Sequence, residues 1–136
     1  MKSLTPLLNV ADAGKSVDFY CEKLGFEIDE RFESDGALVW AHISRGPIEM
    51  MINACSERVA RGPRAGATTY DDVVLYFSVE SAKDLHRDLT AKGCSPEPVE
   101  RQDYGLDEFT LRDPDGYELG FGSPVSRPGT DAALED

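Results

Sequence analysis

The chain has 136 residues, of which 40% are hydrophobic and 29% are charged, values that fit one globular domain with a modest core. Its formal net charge of −12 at pH 7 argues against nucleic acids and anionic membranes as partners, because attraction to phosphate would become repulsion. No apolar run approaches the roughly 20 residues that span a bilayer. Patterned sequence follows Met1-Lys2 directly, so we predict no signal peptide and a cytoplasmic location.

The three cysteines, Cys21, Cys55 and Cys94, are odd in number and lack C-x-x-C spacing. This pattern favours neither a disulfide scaffold nor a thiolate metal site. Cys21 is expected on a buried helix face, where a cysteine usually acts as a small hydrophobic residue.

The first half of the chain predicts the element order β-α-β-β-β. Leu4 to Val10 is a short apolar run suited to a strand, and Asp12 can cap a helix that ends at Gly25. The apolar positions at helical spacing, which should face the core, are Val17, Tyr20, Cys21 and Leu24. Turns separate the three strands predicted after the helix, which cover residues 26–32, 37–44 and 48–54.

The second half repeats this order after a predicted linker at residues 56–69, which contain glycine, proline and arginine but little apolar pattern. Val73 to Val79 is the most strand-like run in the chain. Ser81 begins a helix with Asp84 at the capping-box position, and Gly93 should close it. Residues 96–102 can form the next strand.

The last predicted element is a β-hairpin, FTLRDPDGYELGF, from Phe109 to Phe121. Its turn is Asp113-Pro114-Asp115-Gly116, in which proline presets φ and glycine accepts a positive φ. One face of the hairpin is apolar, and the other is nearly free of side chains at Gly120 and Gly122. A bare face beside a packed one predicts a strand that lines a cavity.

These elements predict one domain, residues 1–123, with modules at about 3–55 and 70–123 and a flexible tail at 124–136. A module of about 55 residues buries only about 60% of its unfolded surface. Two such modules should therefore share a core.

Two stretches carry a resemblance to a known family: SVDFYCEKLGF, from Ser16 to Phe26, and DPDGYEL, from Asp113 to Leu119. With the repeated element order, they resemble the vicinal oxygen chelate superfamily, which includes glyoxalase I, bleomycin-resistance proteins, extradiol dioxygenases and fosfomycin-resistance enzymes. The resemblance implies an α+β fold of two tandem βαβββ modules, whose curled mixed sheets enclose a crevice with the helices outside. It also implies a homodimer. The fold hosts metalloenzymes and metal-free binders alike, so it does not fix the function.

Strand alternation indicates which side chains would face that crevice. Val73, Leu75, Phe77 and Val79 form a uniformly apolar set that should pack under the helices. The opposite set, which should face the crevice, comprises Thr5, Leu7, Asn9, Leu38, Trp40, His42, Glu49, Met51, Asn53, Val74, Tyr76, Ser78, Glu108, Thr110, Arg112 and Gly120. From it we predict the ligand-binding residues Trp40, His42, Glu49, Met51, Tyr76, Glu108 and Thr110, and Tyr104 is a further candidate.

Similarity to the metal-dependent family members implies one metal ligand on each of four strands, at positions that match Thr5, Glu49, Val74 and Gly120. Only Glu49 binds a divalent metal well, whereas a catalytic site needs about three protein ligands. A two-residue gap after Tyr117 would put Glu118 in place of Gly120, but strand parity opposes this unless the last strand begins that early. An atypical site of His42, Glu49 and Glu108 stays open. We therefore expect no metal and no other cofactor.

Three functions compete. The first is a metal-free homodimer that binds an aromatic or cationic small molecule. The second is a metal-dependent lyase, isomerase or dioxygenase with Glu49 or Glu108 as base, and a metal-free acid–base enzyme using His42 and Glu49 also stays open. The third is a structural dimer without a ligand. The sequence favours the first function and leaves open whether the protein is an enzyme, with Glu49 and His42 as the candidate catalytic residues.

Overall fold

A computed structural model of the chain describes residues 1–55 and 70–125. The predicted linker at 56–69, and the predicted tail from residue 126 onward, lie outside the described residues. The elements in chain order are β1 (Leu7–Val10), α1 (Ala13–Leu24), β2 (Glu27–Ser34), β3 (Ala37–Arg45), β4 (Ile48–Ala54), β5 (Tyr70–Ser78), α2 (Ala82–Ala91), β6 (Glu100–Arg101), β7 (Leu106–Arg112) and β8 (Tyr117–Pro124). This confirms the α+β fold of two tandem βαβββ modules.

The first sheet has the strand order β1-β4-β3-β2. β1 runs parallel to β4, and the other neighbours are antiparallel. α1 packs against β3 and β4, and the face beneath it is apolar and fully buried at Ala41, Ile43, Met50 and Ile52. Because side chains alternate along a strand, the polar and aromatic residues between these positions lie on the opposite face.

Both ends of α1 follow the sequence signals. The Asp12 carboxylate accepts the Lys15 N–H at 3.0 Å, and Gly25 ends the helix in the left-handed region at φ 76°. The prediction for Cys21 was wrong, because its side chain is only half-buried. The fully buried face turns instead through Ala13, Ser16, Val17, Tyr20 and Leu24.

The second sheet has the order β5-β8-β7-β6. α2 packs against β7, and the N-cap Ser81 hydroxyl accepts the Asp84 N–H at 3.1 Å, as the capping signal predicted. The core between the second sheet and α2 contains a stack of three phenylalanines. Phe121 lies between Phe77 and Phe109, with ring centroids 5.3 and 4.9 Å apart.

Three strand predictions need correction. β6 covers only Glu100–Arg101 rather than residues 96–102, because Pro96 and Pro98 have no N–H to donate to a ladder. Val73 is 69% exposed rather than packed, since β5 is an edge strand and α2 lies over β7. β8 extends through Pro124, where the tail was predicted to begin.

The described residues divide into two compact units. The first runs to Asp72 and includes the hairpin turn Asp113–Tyr117, whereas the second contains Val73–Arg112 and the chain from Glu118. The turn that joins β7 to β8 is therefore part of the first unit, whereas β7 and the residues of β8 from Glu118 onward belong to the second. No helix in the described part of the chain is long and apolar enough to span a membrane.

Candidate functional site

The open face of the first sheet, which is the face away from α1, carries a row of planar side chains across all four strands. Pairing of neighbouring strands aligns Asn9, Asn53, Trp40 and Phe32 in this row. Asn53 Nδ2 donates to Asn9 Oδ1 at 3.1 Å, which fixes the amide end. Phe32 is 60% exposed at the other end, and Trp40 beside it is half-buried. The row offers stacking surface next to fixed amide groups.

A charged cluster lies on the same face. His42 Nε2 is 2.9 Å from Glu49 Oε1, and His42 Nδ1 is 3.4 Å from Asp29 Oδ2. His42 and Glu49 thus share the face that strand alternation predicted for both. Asp29 was not predicted from the sequence, because regular alternation puts its side chain on the other face. The pairing of β2 with β3 shifts between Ile28 and Glu30, and this bulge re-aims Asp29 toward the imidazole.

The charged cluster is not arranged as a metal site. Glu49 and Asp29 contact different nitrogens of one imidazole ring, so the three groups do not converge on a single point. Glu108, the third member of the atypical site considered above, lies in the second unit, where its partners are tyrosines. Among the described residues, no group of three or more His, Cys, Asp or Glu side chains could hold a metal ion.

The open face of the second sheet, away from α2, carries a carboxylate held by two phenols. Tyr76 Oη donates to Glu108 Oε2 at 2.7 Å, and Tyr104 Oη donates to Glu108 Oε1 at 2.6 Å. The hydrogen bond to Glu108 raises the pKa of Tyr76 to about 12 and also raises the pKa of Tyr104. Both phenols therefore stay protonated donors at neutral pH.

The bare strip at Gly120 and Gly122 is occupied by the Tyr76 side chain. A Cβ on Gly120 would lie 3.2 Å from Tyr76 Cδ1, and a Cβ on Gly122 would collide with the Tyr76 hydroxyl. The Tyr76 ring therefore packs against these two glycines, and the space beside them is not empty. Gly122 also pairs with Glu108 across β7 and β8, which brings the phenol to the carboxylate.

Two further positions on this face were singled out from the sequence. Thr110 is half-buried and pairs with Gly120. Glu118 shares a face with Gly120, contrary to the parity argument, because β8 begins at Tyr117. Its carboxylate is committed to Arg112, 3.1 Å away.

The four positions that match the family's metal ligands do not supply a metal site. A Cβ on Gly120 would lie 3.3 Å from Val74 Cγ1, so these two positions are neighbours but carry no donor atom. Thr5 precedes β1, and Glu49 is bonded to His42. One carboxylate does not replace a set of about three ligands, so the residues present do not fit a chelated divalent metal.

The two tandem βαβββ modules, each with aromatic and acidic side chains on its open sheet face, place the chain in the class of small α+β proteins built from such paired modules. The sequence profile of the Glyoxalase/Bleomycin resistance protein/Dioxygenase superfamily matches residues 3–121. The chain belongs to this superfamily. No match was found among curated proteins.

Solved structures show the same fold. The bleomycin-binding protein of Streptomyces verticillus, crystallised with copper(II)-bleomycin, is 24% identical with a TM-score of 0.62, over 93% of this chain and 99% of that chain. TnmS3, an antibiotic-binding protein from Streptomyces sp. CB03234, is 18% identical with a TM-score of 0.64, over 92% and 99%. Lactoylglutathione lyase from Agrobacterium tumefaciens is 16% identical with a TM-score of 0.67, over 90% and 94%.

Proposed function

We propose that the protein binds an aromatic or cationic small molecule on its open sheet faces without using a metal. The observation that carries this proposal is the row from Asn9 to Phe32, which combines exposed aromatic surface with an amide pair already held by a hydrogen bond. Met51 lies in the neighbouring row, opposite His42, and adds adaptable apolar area. Such a surface suits a planar ligand that stacks on Trp40 and bonds at the amide end.

On the second sheet, Tyr76, Glu108 and Thr110 form the corresponding polar and aromatic surface. The similarity in fold to two antibiotic-binding proteins supports a ligand of this kind. The poor fit of the four family positions to a metal counts against the alternative of a metal-dependent lyase, isomerase or dioxygenase. His42 and Glu49 are assigned to ligand orientation.

The test is calorimetric titration with a panel of planar aromatic and cationic antibiotics. For a compound that binds the wild type, Trp40→Ala should weaken binding roughly tenfold or more, because a central aromatic anchor is lost. Phe19→Ala removes an aromatic side chain from α1, outside the open face, and should leave the affinity unchanged. Stoichiometric divalent metal in the purified protein that disappears in Glu49→Gln would favour the metal-dependent enzyme instead.

We also propose that the protein is a homodimer. Leu7 on the first strand of the first sheet is 45% exposed, and a second copy would reduce this apolar exposure. Sedimentation equilibrium should give twice the chain mass. A monomer at all concentrations would contradict the proposal without affecting ligand binding by a single chain.

A further inference from the structure

Glu108 is an acidic group whose two oxygens accept neutral donors. Each carboxylate oxygen accepts one phenol. Within the described ranges 1–55 and 70–125, no lysine, arginine or histidine forms an ion pair with it. A carboxylate has about four lone-pair positions, so two phenols leave roughly half of its accepting capacity for another donor.

The phenols are held in place by the fold. The Tyr76 side chain packs against Gly120 and Gly122 of β8, and any side chain at Gly122 would displace its hydroxyl from Glu108. Gly122 lies within β8, and it is not one of the described glycines that have a positive φ. Its backbone therefore has an ordinary strand conformation. The backbone does not require glycine here, whereas the position of the Tyr76 ring does.

Both rings also present surface beside the carboxylate. Tyr76 is 49% exposed and Tyr104 is 66% exposed, so both rings leave apolar area open to a ligand. A cation beside Glu108 would be attracted by the negative charge, and the carbon atoms attached to the cation could contact the exposed parts of the two rings. A neutral or anionic group would not gain the attraction of the charge.

From this arrangement we propose that Tyr76, Glu108 and Tyr104 form a recognition site for the ammonium group of an organic amine. Glu108 accepts the N–H donors of the amine at its remaining lone pairs, and the two rings contact the attached carbon atoms. The inference rests on the proposed ligand-binding function of the second sheet and narrows its ligand class to alkylammonium compounds. The net charge of −12 favours the approach of such cations.

The probe is benzylammonium chloride at pH 7.5, compared with neutral benzyl alcohol by NMR titration of the full-length protein. For a probe this small, we expect a dissociation constant on the order of millimolar and weaker binding of the alcohol. Glu108→Gln should weaken benzylammonium binding roughly tenfold or more, as expected for loss of a charge-assisted hydrogen bond. The same variant should leave benzyl alcohol binding unchanged.

Matched variants distinguish specific recognition at Glu108 from attraction of the cation by any negative charge on the protein. Glu118→Gln removes the same charge from the same face and should have little effect, whereas Gly122→Ala keeps every charge and should weaken benzylammonium binding by moving Tyr76. Tyr76→Phe, which keeps the ring, provides a second variant if Gly122→Ala does not fold. Equal losses in Glu108→Gln and Glu118→Gln, or equal affinity for the alcohol and the ammonium, would overturn the site.

Failure here is distinct from failure of the proposed function. Planar ligands that depend on Trp40 and not on Glu108 would retain the binding protein and reject the ammonium site. Benzylammonium binding that depends on Glu108, with no planar ligand dependent on Trp40, would retain the ammonium site and restrict binding to the second sheet.

Discussion

Ser16 shows how a single residue can oppose the stability of its own helix. It is fully buried in α1, and its hydroxyl has no hydrogen-bond partner in the part of the chain that the structure describes. A buried unsatisfied hydroxyl costs roughly 1–3 kcal/mol, and serine is a weaker helix former than alanine. Apart from its small size, the serine side chain brings no packing advantage at this position among the described residues.

Ser16→Ala should therefore raise the free energy of unfolding by about 1 kcal/mol, measured by urea denaturation. Ser81→Ala is the matched control, because there the hydroxyl caps α2 and its loss should lower the free energy by about 1 kcal/mol. If both variants destabilise equally, the Ser16 hydroxyl has a partner in solution.

Residue-level prediction worked where the strands are regular and failed where they are not. Alternation along β3 and β4 brought His42 and Glu49 to one face, and they form a hydrogen bond there. The same rule missed Asp29, because a bulge in β2 shifts its pairing. Bulges depend on the partner strand, so a local pattern does not reveal them.

At the scale of elements, the hairpin turn is held by one buried carboxylate. Asp113 is 4% exposed, and its Oδ2 accepts Tyr20 Oη at 2.6 Å. Its Oδ1 accepts the N–H groups of Asp115 and Tyr117, both at 2.9 Å. The turn thus joins α1 of the first unit through side-chain bonding, and Asp115 Oδ1 adds a bond from Ala11 N–H at 3.1 Å.

Tyr20→Phe removes one donor from this carboxylate and leaves Oδ2 buried without a partner. We expect the free energy of unfolding to fall by about 1–3 kcal/mol, measured by urea denaturation. Tyr104→Phe removes an equally short phenol–carboxylate bond at an exposed position and should leave the free energy of unfolding nearly unchanged. Similar losses in the two variants would contradict the role assigned to burial.

The type of this turn could be predicted from the sequence DPDG, but the element that the turn contacts could not. Proline, aspartate and glycine specify a tight turn locally, and hydrogen bonds within 113–117 bear this out. The contact with Tyr20 joins residues 93 positions apart, and no local pattern encodes it. β4 shows the favourable case, since its turn signals and apolar alternation gave its observed bounds of Ile48–Ala54.

For the whole molecule, the two carboxylates of the turn link stability to pH, one from the buried Asp113 and one from the half-buried Asp115. Burial raises the pKa of Asp113 and of Asp115 above the ordinary value, despite hydrogen bonds that act in the opposite direction. The folded protein therefore holds these protons more tightly than the unfolded chain. The stabilisation is complete below the unfolded pKa of about 3.9 and is lost as the pH rises through the raised folded pKa.

Asp113→Asn removes one of these titrations while keeping the side-chain size. Between pH 4 and pH 7, wild type should lose stability relative to this variant, whatever constant offset the new amide introduces. Denaturation curves at several pH values give this difference directly. A wild type that gains on the variant as the pH rises would show that the pKa of Asp113 is lowered.

The tandem architecture as a whole was predictable, because two copies of one element order reinforce each other in the sequence. The ligand chemistry was less accessible. The two glycines of β8 predicted a strand that lines a cavity, whereas in the structure the Tyr76 ring packs against them. A missing side chain leaves space, and only the three-dimensional fold shows what occupies it.

The most direct test of metal-free binding on the open face uses Trp40, the single tryptophan of the chain. Its fluorescence should change saturably on titration with a planar ligand that binds by calorimetry, with the same dissociation constant before and after treatment with a chelator. Binding without any change in Trp40 emission, or binding that a chelator abolishes and a divalent metal restores, would contradict the account.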